Sequence, residues 1–180
     1  MVKKLIIGIG GAGANISQFI VENLNEMSEL LLINTDKSSL DRHSTTNRIL
    51  LDLTLSSDAK KSEKIANAAS CVESELLKYS HDKSDIVIIA GLGGYTGTYA
   101  FPSIANLLRN NGKNVTLVVV FPFSFEGSRR RLAEEAFGAF KNSTTINTIT
   151  FDNDSVMARN LSLNDVFRKA NDAIITHVIV

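Results

Sequence analysis

Gly8-Ile9-Gly10-Gly11-Ala12-Gly13-Ala14-Asn15 and Gly91-Leu92-Gly93-Gly94-Tyr95-Thr96-Gly97-Thr98 lie about 80 residues apart in a chain of 180. Each follows an apolar run that reads as a buried strand, and each opens a helical pattern. A strand–glycine turn–helix junction presents backbone N–H groups and a helix dipole to a phosphate. One such turn is a weak signal, because glycines at a strand–helix junction also serve tight packing. Two in one small domain suggest a polyphosphate held from both sides.

Working outward, strand candidates rich in Ile, Leu and Val occupy residues 4–9, 30–34, 48–53, 85–90, 114–121 and 145–151. Most are apolar at successive positions, as parallel strands covered on both faces require. Helical patterns alternate with them. Ile16, Phe19, Ile20 and Leu24 share one face, and Ile65, Ala69, Val72 and Leu76 another. Phe101, Ile104, Ala105 and Leu108 form a third, with Pro102 expected in a first turn. Ala133, Phe137 and Phe140 give a fourth, and Val166, Ala170, Ala173 and His177 a fifth. The alternation predicts an α/β fold: a doubly wound, mostly parallel, Rossmann-like sheet with helices on both faces. Ligands of such sheets bind beyond the carboxyl ends of the strands. The uncharged segment 173–180 reads either as a terminal strand or folded-back helix, or as a helix awaiting a partner.

The totals narrow the function classes. Hydrophobic content of 44% with 21% charged residues suits one globular domain. Lys plus Arg and Asp plus Glu both number 19, so no net field draws nucleic acid or an anionic membrane. No stretch is long enough for membrane insertion. The start, Met-Val-Lys-Lys-Leu-Ile-Ile, is interrupted too soon to be a signal peptide. A cytoplasmic location is expected. The single cysteine, Cys71, excludes a disulfide framework and reads as a small core residue. His43, His81 and His177 form no ligand cluster, so no transition-metal site is assigned.

Gly8-x-Gly10-x-x-Gly13 with Asp36 further on also satisfies the dinucleotide fingerprint, which keeps an NAD-binding enzyme open. The second glycine turn argues for another family. Gly8 to Asn15, Asn34-Thr35-Asp36, residues 91–98, Phe121-Pro122-Phe123-Ser124-Phe125-Glu126-Gly127-Ser128-Arg129-Arg130, Asn153-Asp154 and residues 162–172 occur in one order. In that order and spacing the chain resembles the bacterial division GTPase FtsZ and its tubulin relatives, over essentially its whole length.

The resemblance implies the FtsZ/tubulin type of GTPase domain, spanning residues 1–180 and ending within that family's central helix, with no second domain. It also implies GTP or GDP as ligand, with Mg2+. The implied binding residues are Gly10, Gly11, Ala12, Gly13, Asn15, Asp36, Gly93, Gly94, Tyr95, Thr96, Gly97 and Thr98 around the phosphates. Glu126 would accept from ribose hydroxyls, and Arg130 would add counter-charge in place of a Walker lysine. Phe167 would stack on the base, with Asn153 and Asn171 hydrogen-bonding its edge and the ribose region. Taken alone, Phe167 reads equally as core packing, Glu126 as a helix-terminal charge, and residues 129–131 as a solvated basic run.

Three departures bear on function. Tyr95 and Tyr99 stand where the tubulin signature has glycine. Residues 52–61 contain no glycine where FtsZ has its γ-phosphate loop. The acidic loop that follows the central helix, and completes a neighbour's active site in that family, is absent from the sequence. Hydrolysis by this chain alone is therefore not expected, and no catalytic residue is assigned. The implied partners are guanine nucleotide, a second copy, or a full-length FtsZ whose filaments the chain would modulate. The alternative is a pseudo-GTPase interaction module that binds no nucleotide.

Overall fold

The computed structural model describes residues 4–23, 28–55 and 59–156, with positions 168, 169 and 172 besides. Phe167, Asn171 and the apolar segment 173–180 lie outside the described residues.

The elements are β1 (Lys4–Ile9), α1 (Gly10–Asn23), β2 (Ser28–Asn34), α2 (Lys37–Asp41), β3 (Arg48–Leu50), α3 (Lys61–Ser70), α4 (Glu73–Ser80), β4 (Asp85–Gly91), α5 (Tyr95–Asn110), β5 (Asn114–Phe121), α6 (Ser128–Lys141) and β6 (Asn147–Asp152). Single 3-10 turns occupy Leu53–Leu55, Ser124–Glu126 and Asn153–Val156. The six strands form one sheet in the order β3-β2-β1-β4-β5-β6, and every pairing is parallel. The chain works outward from β1 to β3, then crosses back to β4. The β1–β4 boundary is therefore the topological switch point, where a crevice opens beyond the strand ends.

Continuous apolar strands are explained by two-sided burial. Ile6, Leu32, Val87, Ile89 and Val118 pack with Ala14, Ile16 and Ile20 of α1 and Leu40 of α2. Their neighbours Leu5, Ile7, Ile33, Ile88, Leu117 and Val119 point to the opposite face, toward Ile65, Leu76, Phe101, Ile104, Ala133 and Phe137. A parallel strand alternates its side chains between two helical layers, so both sets must be apolar. Phe101 of α5 is fully buried and meets the edge of Phe140 at a ring separation of 4.9 Å. That contact ties α5 to α6.

The predicted boundaries shift where side chains capture the backbone. The strand predicted at 48–53 stops at Leu50, because Asp52 Oδ1 accepts from the Thr54 amide and hydroxyl and curls the chain into a turn. The helix read across Ile65 to Leu76 is two helices. Cys71 caps the first, is exposed, and leaves Val72 as the buried residue, so the core position expected for Cys71 is wrong. Pro102 lies inside α5 rather than in its first turn, because α5 begins at the glycine turn, seven residues earlier. Its missing N–H removes one intrahelical bond. The buried Gly97, Thr98, Ala100 and Phe101 hold that first stretch helical by packing.

Phe101→Ala is expected to lower unfolding stability by roughly 3–5 kcal/mol, since it opens a cavity at the α5–α6 contact. Urea denaturation measures this, and a loss under 1 kcal/mol is not the expected outcome.

Candidate functional site

At the switch point the two glycine turns pack directly on each other. Gly10 has φ +74°, and a side chain there would press on the Gly97 amide nitrogen at 2.9 Å. A Cβ on Gly97 would collide with the Gly91 carbonyl oxygen, and one on Gly91 with the Ala12 methyl. These glycines let the starts of α1 and α5 sit side by side over adjacent strand ends. Gly11 and Gly94 differ, because a Cβ on either would meet no atom within 4 Å. Their backbones are open to a cavity of about 450 Å³.

The cavity follows the strand ends across the sheet. Its middle is formed by Gly10, Gly11, Ala12, Gly94 and Gly97. At the β2 end stand Asn34, Thr35 and Asp36, and at the β5–β6 end Pro122, Glu126, Arg129 and Asn153. Two helix N-termini point into its centre. α5 is capped by Gly94 with no side-chain bond, and neither helix has an acidic residue in its first turn. Unpartnered first-turn amides and aligned peptide dipoles make such a place favourable to an anion.

The side chains divide into those that build the cavity and those that face it. Thr98 is 1% exposed, and its Oγ1 accepts from the Gly93 amide at 2.9 Å. It locks the turn from behind. Gly13 packs on the Ile89 carbonyl, with 2.5 Å to a hypothetical Cβ, and Gly93 has φ +89°; neither lines the cavity. Thr35 and Thr96 share a hydroxyl hydrogen bond of 2.7 Å that joins the β2 end to α5. Asp36 caps α2 by accepting from the Ser38 amide and hydroxyl, and the hydroxyl bond leads the causes that hold its carboxyl below the ordinary range. Asn34 Oδ1 accepts from the Thr35 and Asp36 amides and shapes the same corner.

At the other end Glu126 is 23% exposed, accepts from the Phe123 amide at 3.0 Å, and pairs with Arg129 at 3.2 Å. Asn153 is buried, 8% exposed, at the cavity wall. Asn15 faces outward instead, in a separate depression with Gln18 and His43.

Arg130 is placed differently from its implied role. Its guanidinium makes paired bonds of 2.8 and 2.7 Å to Asp152, and further bonds to Glu134 and the Pro122 carbonyl. It clamps the ends of β5, β6 and α6, and Arg129 is the arginine that reaches the cavity. The basic run did not reveal this, because helix phase and the position of Asp152 decide which arginine points inward.

The tyrosines also separate. Tyr99 is half-buried against the core. Tyr95 is 52% exposed, lines the cavity, and lies under the Lys61 ammonium at 4.5 Å. Thr35, Asn34 and Arg129 were not among the implied contacts, although Asn34-Thr35-Asp36 was the signal available for the first two.

The Tubulin/FtsZ family GTPase-domain model matches residues 3–160. The chain belongs to the Tubulin/FtsZ family. It is 34% identical over 176 residues to the cell division protein FtsZ of Buchnera aphidicola subsp. Schizaphis graminum, covering 94% of this chain and 46% of that protein. With cell division protein FtsZ 2 of Methanocaldococcus jannaschii it shares 32% identity over the same proportions. The chain thus spans about half the length of the curated relatives it matches. An empty FtsZ dimer from M. jannaschii superposes with a TM-score of 0.82 at 27% identity, over 99% of this chain and 53% of that one. The GDP-bound CetZ1 monomer from Haloferax volcanii, at 23% identity, shares the fold with a TM-score of 0.77, over 97% and 58%. No helix among the described residues of this FtsZ-type domain is long and apolar enough to cross a membrane.

Two outcomes test the architecture of the site. Gly97→Ala is expected to destabilise the domain, measured as a fall in thermal midpoint, because the methyl collides with backbone rather than with a movable side chain. The Arg130 hydrogen bonds, against burial, hold the Asp152 carboxyl below its ordinary range. A depressed folded pKa contributes stability above the unfolded value of about 3.9 and loses it as pH falls through the folded value. Asp152→Asn should therefore lower the thermal midpoint at neutral pH and flatten its decline below about pH 4.

Proposed function

We propose that this domain binds a guanine nucleotide, GTP or GDP, along the strand-end cavity. It would act as a degenerate FtsZ-type protein that modulates division or cytoskeletal filaments, through self-association or association with a full-length FtsZ. The observation that carries the reading is the pair of open backbones at Gly11 and Gly94, set where two helix N-termini converge. The phosphates lie there. Glu126 accepts from the ribose, and Asn153 meets the base or ribose at the β5–β6 end. Phe167 and Asn171 complete the base contact by family resemblance.

Magnesium fits the β2 corner as a nucleotide-borne ion. Asp36, Thr35 and Thr96 supply hard oxygen donors there. No cluster of three or more metal-ligating residues occurs among the described residues, so phosphate oxygens would supply the rest of the shell. The only carboxylates at the cavity among the described residues, Asp36 and Glu126, are engaged by Ser38 and by Arg129 with the Phe123 amide. With Asp36 facing the metal and Glu126 the ribose in this reading, neither is left to orient an attacking water, which favours binding over self-sufficient hydrolysis.

Titration of the purified chain with GTP, GDP and NAD in the presence of magnesium tests the reading. Guanine nucleotides are expected to bind and NAD is not. Gly11→Ala or Gly94→Ala should weaken guanine-nucleotide binding by about tenfold while leaving the thermal midpoint unchanged, since each methyl enters only ligand space. Binding of no nucleotide returns the chain to an interaction-module role. Co-sedimentation with polymerising full-length FtsZ tests the filament role, and its absence rejects it.

A further inference from the structure

Lys61 opens α3, immediately after the glycine-free segment 52–60, and its ammonium lies 4.5 Å from the centroid of the Tyr95 ring. Tyr95 opens α5 and lines the cavity between Gly94 and Thr96. Among the described residues the cation meets a ring rather than a carboxylate. That difference matters, because a ring attracts the ammonium without cancelling its charge. Two of the three N–H donors can still turn toward a second, stronger acceptor.

The strand order gives the cavity a direction. Glu126 and Asn153 mark the β5–β6 end, the open glycines Gly11 and Gly94 the middle, and Thr35 with Asp36 the β2 end. A nucleotide with its sugar at Glu126 and its first phosphates at the glycines directs its terminal phosphate toward β2 and the start of α3. The two arginines beside the cavity are engaged elsewhere. Arg129 pairs with Glu126 at the opposite end, and Arg130 with Asp152. The β2 corner itself contributes the negative Asp36. At that end the cavity-lining side chains offer a third phosphate no positive charge beyond the nucleotide-borne magnesium.

We infer that Lys61, positioned by the face of Tyr95, contacts the terminal phosphate and makes the site prefer a nucleoside triphosphate over the diphosphate. This rests on the nucleotide-binding reading above. The ring that stands where the family has glycine becomes a support for a cation. Holding the long lysine side chain against the ring also lowers the rotamer freedom it loses on binding.

The full chain is titrated with GDP and with a slowly hydrolysed GTP analogue, both with magnesium, and the ratio of the two affinities is the readout. Lys61 is exposed at a helix start, so Lys61→Gln is not expected to disturb folding. It should weaken the triphosphate analogue by about tenfold and leave GDP unchanged. Tyr95→Leu, which removes the π face and keeps bulk, should lower the ratio partway. Tyr95→Phe, which keeps the face, should match the parent. An unchanged ratio in Lys61→Gln, or an equal loss for both nucleotides, overturns the inference while leaving nucleotide binding intact. A parent chain that binds neither nucleotide overturns the binding reading, and this inference with it.

Discussion

The close approach of two backbones at the β1–β4 boundary is the constraint on which the site depends. Gly97 lies against the Gly91 carbonyl, Gly91 against Ala12, and Gly10 against the Gly97 amide. No residue with a Cβ fits these contacts unless backbone moves. Because β1 and β4 are hydrogen-bonded neighbours, with Ile9 opposite Ala90, the helices that follow them start side by side. Two sets of first-turn amides then face one space. Separate these turns by the width of a methyl group and the convergence is lost, although each would remain an ordinary strand–helix junction.

The glycines consequently do two different jobs. Gly13, Gly91 and Gly97 are consumed by packing, while Gly11 and Gly94 leave open space. Their motifs alone do not distinguish these cases. Charge divides in the same manner. Arg130 is committed to Asp152 and holds the β5–β6 end in place, which positions Asn153 and the turn carrying Glu126. Arg129 stands at the cavity, and Lys61 stands over Tyr95, which lines it. The Arg130–Asp152 pair builds the frame, while Arg129 and its partner Glu126 both face the space.

Much of the fold was legible because two-sided burial writes itself into composition. Strands β1, β4 and β5 carry apolar residues at successive positions and were predicted within a residue of their limits. The misses lie where a single side chain competes with the ladder. Asp52 curls the backbone after β3, and the break at Cys71 divides one periodic stretch into two helices without disturbing its apolar phase. Phase survives such a break, so periodicity cannot report it. Pro102 misled for a related reason: it marked a helix start, but the start was set by the glycine turn.

The sequence by itself determined the family, the parallel α/β class and the meeting of two glycine turns at the strand ends. Those features depend on local backbone requirements and on which residues tolerate water. Only the tertiary structure decided which glycines face open space, which arginine enters the cavity, and that Thr98 braces the turn from behind. It also set Lys61 over Tyr95. Each of those facts joins residues from different elements. Their distances follow from strand order and helix phase taken together, and no spacing along the chain encodes them.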